Sequence, residues 1–231
     1  MKIKHGMILA AGLGKRMQPV TLKTPKPLIQ ISNKSLLERA IELLIVHGIE
    51  EIAINVYHLA DQIKEFINKK KYKVKITISD ENNELLDTGG GILNATTSFK
   101  KPFVVVNPDT LWRTAYLNEL KNLEDLYFRK KKPCLLLVNK KLSFDSSFEG
   151  DFNLNDSMIS RDNNNKFIFT GLQILDKSVF SVMKDRVFSM NRIWNFLIED
   201  KSLTGVESKE KFYHINTKEV YDKLLKLNII D

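Results

Sequence analysis

Cysteine is almost missing from this chain. Cys134 is the single one in 231 residues, so no internal disulfide can form, and a small cross-linked scaffold is excluded. Long apolar runs are missing too. Met7 to Ala11 and Leu43 to Val46 fall far short of the roughly 20 residues that a membrane-spanning helix needs. The start, MKIKHGMILAAGLGKR, imitates a secretion signal but ends in glycines and cations instead of a small-residue cleavage site. A cytoplasmic protein with no membrane partner is expected. With 6 prolines and 10 glycines, the chain is neither collagen-like nor low in complexity. Its length and its 43% of hydrophobic residues suit one α/β domain over 1–231.

Acidic residues are in deficit as well. The net charge of +8 suits a polyanionic partner. Aromatic residues do not alternate with the basic ones, however, so no base-stacking surface for nucleic acid is expected. The runs Lys69 to Lys71 and Arg129 to Lys132 close expected helices, where positive charge complements the helix dipole.

Strands and helices alternate from the start. The segments 7–11, 52–56, 74–78, 103–107 and 135–138 are short, rich in β-branched residues and nearly continuously apolar, as strands covered on both faces of a mostly parallel sheet are. Helical periodicity fills 36–47, with a capping box at Ser35 and Glu38 and a stop at Gly48. Helices are also expected at 60–70, 115–129, near 191–200 and from Thr217. Two further strands are expected, one at 167–175 and one ending in Phe212 to Ile215. A three-layer α/β sandwich follows.

The most informative absence is local. From Gly12 to Asn33 the chain has no Asp or Glu, which chance at this acidic content allows only about 6% of the time. These 22 residues separate the first strand from its helix, a place where 2–6 are usual. They carry Lys15, Arg16, Lys23 and Lys26 and no helix or strand pattern. Loops beyond the carboxyl ends of parallel strands bind ligands. Within this one, Gly12-Leu-Gly14-Lys15-Arg16 lets backbone N–H groups curl around phosphate with cations behind them. It is not a dinucleotide fingerprint, because Met17 stands at the third glycine position, and it is not a P-loop. Lys26 lies between Pro25 and Pro27 on stiffened backbone and is expected to face solvent.

Taken together, LAAGLGKRMQP (9–19) and TPKPLI (24–29) resemble the signature of the sugar-1-phosphate nucleotidyltransferases. The resemblance continues through DTGGGI (87–92), VVVNPDT (104–110), FTGLQIL (169–175) and 212–217. It is closest to the N-acetylmuramate-1-phosphate uridylyltransferase group, with mannose- and heptose-1-phosphate guanylyltransferases beside it. It implies the nucleotide-diphospho-sugar transferase fold, with a nucleotide-binding part over about 1–110 and a sugar-binding part over about 111–231. It also implies the reaction: a sugar-1-phosphate oxygen attacks the α-phosphorus of a nucleoside triphosphate, UTP or GTP, and expels pyrophosphate. A non-catalytic nucleotide-binding relative is the alternative of another class; the joint presence of Arg16, Lys26 and Asp109 favours the enzyme.

By the same resemblance, Leu9, Ala10, Ala11, Gly12 and Gly14 hold the nucleotide through their backbone. Arg16 and Lys26 neutralise the phosphates, Lys15 and Lys23 stand at the rim, and Asp109 holds Mg²⁺. Carboxylates among Asp80, Glu81 and Asp87 can accept N–H groups of either uracil or guanine, while Gly89 and Gly90, expected in a loop that the family uses for both base and sugar, permit close backbone approach to them. Gly171 and Asn191, with Arg161, Lys166 and Trp194 as further candidates, face the sugar; helical spacing makes Trp194 a core residue first. His5, His47 and His58 read as structural or surface residues. His214 stands where many members carry a second metal-binding aspartate, which makes it a candidate metal ligand suited to a softer ion. A core or surface histidine is the plain alternative, and the favoured expectation is that it donates to a phosphate or a metal-bound water while Asp109 alone anchors the ion. A monomer or small homo-oligomer is expected.

Overall fold

The computed structural model describes residues 2–82 and 84–227. Its strands and helices follow in the order β1 (His5–Leu9), β2 (Gln30–Ile31), β3 (Lys34–Ser35), α1 (Leu36–His47), β4 (Glu51–Val56), α2 (Ala60–Lys70), β5 (Lys75–Asp80), α3 (Asp87–Ala95), β6 (Phe103–Val106), α4 (Tyr116–Lys130), β7 (Cys134–Asn139), β8 (Asn153–Asn155), β9 (Met158–Ser160), β10 (Phe167–Leu175), α5 (Met190–Glu199), β11 (Thr204–Ser208) and α6 (Lys218–Leu225). A nine-stranded sheet runs β5-β4-β1-β6-β10-β7-β11-β9-β8. β1 lies between β4 and β6 and is parallel to both. β10 is antiparallel to β6 and β7, so the sheet is mixed.

Alternation along the central strands sorts two cores onto opposite faces. Ile8, Ile52, Ile54, Val104 and Val106 pack against residues of α1, α2 and α4. Met7, Ala53, Phe103 and Val105 point the other way, onto residues of α3 and α5. The expected N-terminus of α1 is present, with the Ser35 hydroxyl accepting the Glu38 N–H. Gly48 closes the helix in the left-handed conformation, φ 104°. Trp194 lies 8% exposed in the second core.

Two expectations need correcting. The strand placed up to Phe212–Ile215 ends at Ser208, and residues 212–214 contribute only isolated bridges to Ser143 and Thr110. The glycines of DTGGGI lie in a helix, α3, instead of a loop. Their lack of side chains serves packing. The N–H groups of Gly89 and Gly90 both donate to the Phe188 carbonyl, and a Cβ at Gly90 would stand 2.3 Å from the Arg186 carbonyl oxygen.

Because that obstacle is backbone, Gly90→Ala should force a main-chain shift and destabilise the fold by about 1–3 kcal/mol. At roughly 2–4 °C per kcal/mol for a chain of this size, thermal unfolding should show the midpoint falling by several degrees.

Candidate active site

Beyond the carboxyl ends of β1, β4 and β6, loops enclose a cavity of about 340 Å³. The long connection after β1 forms one wall, and it is built rather than structureless, which corrects the expectation above. It contains three short 3₁₀ turns, at Lys15–Met17, Val20–Leu22 and Lys26–Leu28, and the β2–β3 hairpin. Gly14, at φ 62°, turns the chain into the first of them, and its carbonyl accepts the Thr21 hydroxyl at 2.9 Å. His58 Nε2 lies 2.8 Å from the Thr21 carbonyl oxygen. A separate apolar cluster holds Met17, Ile29 and Ile31 against Leu111, Ile215, Val220 and Leu224.

This framework places the cations. Lys15 and Arg16 are exposed and line the cavity. Lys26 also lines it, between two buried prolines. Its ammonium does not face solvent as expected: the side chain is 14% exposed, and Nζ donates to Asp109 Oδ2 at 2.7 Å. The difference arises because Asp109, just beyond β6, offers the charge partner that a partly buried ammonium requires.

A second group meets the same oxygen. The extended segment 212–216 runs antiparallel to 109–111, with the Ile215 N–H on the Asp109 carbonyl and the Leu111 N–H on the Tyr213 carbonyl, both 2.8 Å. This brings His214 Nε2 to 3.0 Å from Asp109 Oδ2, with its ring stacked on Phe212. Burial works to raise the Asp109 carboxyl, but the Lys26 ammonium and His214 imidazole outweigh it and hold the group well below the usual carboxylate range. Both partners sit on Oδ2, so Oδ1 keeps its lone pairs.

Other oxygens nearby lack donors. Asn107 Oδ1 and Asn216 Oδ1 are buried without a hydrogen-bond partner, and both residues line the cavity. A carboxylate and two orphaned amide oxygens on residues of one cavity are the ligand types that suit a hard divalent cation. Among the described residues no three His, Cys, Asp or Glu side chains gather to hold a metal. A cation held here would therefore complete its shell with ligand oxygens and water. Such an arrangement of cations and hard oxygen donors can hold a polyphosphate together with its counter-ion.

The remaining candidates divide. Leu9, Ala11, Gly12, Gly14, Glu81 and Asp87 line the cavity with Lys15, Arg16, Lys26 and Asp109. Ala10 does not, and its N–H donates to Asn55. Asp80 turns to Lys64, 2.6 Å away. Gly89 and Gly90 face the Phe188 segment. Gly171 lies in the bulge of β10, its carbonyl accepting the Asn107 N–H. Asn191 accepts from Arg161, whose guanidinium also bonds Asn195 and the Asp151 carbonyl. Sequence reasoning missed Asn55, Thr88, Asn107 and Asn216 as cavity residues. For Asn55 there was a signal, because it is the one polar residue in the apolar run IAINV.

A sequence profile of the family described as nucleotidyl transferase matches residues 5–138. N-acetylmuramate alpha-1-phosphate uridylyltransferase of Caulobacter vibrioides is 28% identical over 223 residues, which cover 92% of this chain and 91% of that protein. Mannose-1-phosphate guanyltransferase of Saccharomyces cerevisiae is 37% identical over 111 residues, but the match spans only 30% of its length. Among solved structures, HddC from Yersinia pseudotuberculosis superposes with a TM-score of 0.76 at 25% identity, covering 97% of this chain and 99% of that one. It has also been solved in complex with GMP-PN.

Two glycines of the loop should behave oppositely. A Cβ at Gly14 would stand 2.8 Å from Thr21 Cγ2 on left-handed backbone, whereas one at Gly12 meets nothing within 4 Å. Gly14→Ala should therefore cost about 1–3 kcal/mol, and Gly12→Ala should leave the thermal midpoint unchanged. Unfolding curves of the two variants check this.

Proposed function

The chain belongs to the nucleotidyl transferase family and joins a nucleotide to a sugar 1-phosphate, and within that activity we propose UTP and N-acetylmuramate 1-phosphate as its substrates. The observation that carries the choice of sugar and base is the similarity to the Caulobacter uridylyltransferase along nearly the whole length of both chains. The second reading, a GTP-using mannose- or heptose-1-phosphate guanylyltransferase, draws on the guanyltransferase match and on the neighbour bound to GMP-PN. A cell-wall precursor role in the cytoplasm accords with the first reading. Cys134 is buried and free, as a reducing compartment permits, and among the described residues no helix is long and apolar enough to cross a membrane.

In this reaction a phosphate oxygen of the sugar attacks the α-phosphorus of the triphosphate. The new P–O bond forms as the bond to the β-phosphate bridging oxygen breaks, and pyrophosphate leaves with the electron pair. The nucleophile is already anionic, so no base is required; the barrier lies in aligning two polyanions and neutralising them. We assign the triphosphate to the wall formed by Leu9 to Gly14, with Arg16 and Lys15 against its outer phosphates. Lys26 serves the reacting phosphates, held in place by its bond to Asp109. A divalent cation, Mg²⁺ in our reading, would be held by Asp109 Oδ1 with the amide oxygens of Asn107 and Asn216, and it supplies charge neutralisation when bound. His214 keeps the other carboxylate oxygen occupied, so that one oxygen stays directed at the ligand. Asp87 and Thr88 line the cavity too, and we assign them to the base and sugar.

A screen of four nucleoside triphosphates against a panel of sugar 1-phosphates, read as pyrophosphate release, should give the highest rate with UTP and N-acetylmuramate 1-phosphate. A highest rate with GTP and another sugar would select the second reading. Lys26→Ala should lower turnover by at least about 10²-fold, the scale for one preorganised charge contact at a transition state. Since Lys26 is ion-paired, its removal should also lower the thermal midpoint modestly. Asp109→Asn should lose the Mg²⁺-dependent turnover while keeping some triphosphate affinity, and a metal titration of the variant, in which unaltered metal dependence would place the ion elsewhere, checks it.

A further inference from the structure

Between the carboxyl ends of β1, β4 and β5 runs a short chain of buried hydrogen bonds for which the proposed reaction has no use. Asn55, 1% exposed, accepts the Ala10 N–H at Oδ1 (2.8 Å) and donates Nδ2 to Glu81 Oε1 (2.7 Å). Glu81, 4% exposed, accepts the Leu86 N–H at Oε2 (2.9 Å). None of these partners is a cation. Helix α3 closes over the link, since a Cβ at Gly91 would stand 2.7 Å from Asn55 Nδ2 and 2.8 Å from Glu81 Oε1.

The polarity of this chain is constrained. Backbone donors enter it from both ends, Ala10 on one side and Leu86 on the other. Together with the amide hydrogen of Asn55 they make three donors. Asn55 Oδ1 and the two oxygens of Glu81 make three acceptors. A pair of side chains spanning this gap satisfies both ends without taking up a proton only if it contains one amide and one carboxylate. Two amides always leave one N–H facing another. Two carboxylates leave oxygens facing each other until a proton is bound between them. In a buried site either mismatch costs the full desolvation of the orphaned group.

The two ends of the chain adjoin the cavity. Ala10 opens the loop whose Ala11, Gly12 and Gly14 supply one part of its wall, and Leu86 lies between Leu85 and Asp87, which supply another. We propose that the Asn55–Glu81 pair is a polarity-matched strut that fixes the separation of these two parts, and that Glu81 is a positioning residue rather than the group that reads the base. This rests on the reading of the cavity as a nucleoside triphosphate site. Both side chains line the cavity, but their polar atoms are engaged with the fold. Loss of the strut should therefore weaken every nucleotide alike.

The test is a reciprocal exchange. Glu81→Gln and Asn55→Asp each break the match; the double variant N55D/E81Q moves the carboxylate to 55 and the amide to 81 and restores three donors to three acceptors. For each protein, KM and kcat are measured with UTP, GTP, CTP and ATP, and the thermal midpoint without ligand. Each single variant should raise KM at least about tenfold, with a smaller change in kcat, a lower midpoint and an unchanged order of preference among the four nucleotides. The double variant should recover KM and midpoint to near those of the parent. A Glu81→Gln protein whose order of preference changes would show that Glu81 reads the base. A double variant no better than the worse single would show that polarity is irrelevant, and either result overturns the proposal. If the single variants do not fold, a folded double variant supports the strut and an unfolded one overturns it. If the parent turns over none of the four triphosphates, the reading of the cavity fails, and the strut is judged on the three midpoints alone.

Discussion

The bond between Lys26 and Asp109 ties together the two segments on which the site depends. The lysine lies on the connection after β1 and the carboxylate just beyond β6, 83 residues apart in sequence. Parallel pairing of β1 and β6 brings their carboxyl ends side by side, and the flanking prolines and the apolar cluster around Met17 hold the loop across the gap. Each charge then satisfies the other where neither is fully hydrated. With His214 also on Oδ2, the carboxylate keeps a fixed orientation and a free oxygen.

Chemically, the arrangement answers a problem of repulsion. Two phosphate-bearing substrates must approach in line, and the cavity meets them with Lys15, Arg16 and Lys26 on a loop that has no acid of its own. Oxygen donors, at Asn107, Asp109 and Asn216, line the same cavity. Lys26 joins the two sets through Asp109, while Lys15 and Arg16 stay exposed for other oxygens of the ligand.

What the sequence disclosed follows from how each element is stabilised. β10 was legible at both ends, Phe167 and Leu175, because its apolar run is continuous. α1 was legible because Ser35 and Gly48 are local signals at its two ends. α3 was not, since its stability comes from the Phe188 carbonyl and the fit of three glycines against distant residues, and nothing local in DTGGGI favours a helix. The loop was conspicuous by its charge, and Lys26 and Asp109 could each be singled out. Their contact, and that of Asp109 with His214, depends on strand order and could not be read from either segment. Asn55 and Asn216 escaped notice because an isolated asparagine near a strand end or a helix start resembles an ordinary capping or turn residue.

The apolar cluster that secures the loop draws on both halves of the chain. Met17, Ile29 and Ile31 rest on Ile215, Val220 and Leu224, and His214, beside them, reaches Asp109 from the same late segment. During synthesis on the ribosome, β1, β4 and β6 all emerge while these three loop residues have only Leu36 and Leu111 of their cluster to bury against. The loop side of the cavity therefore completes its packing late. A nascent chain that has completed most of its sheet would hold the strand ends in register while the loop rests on part of its support, and the cavity would reach its final form when residues 214–224 arrive.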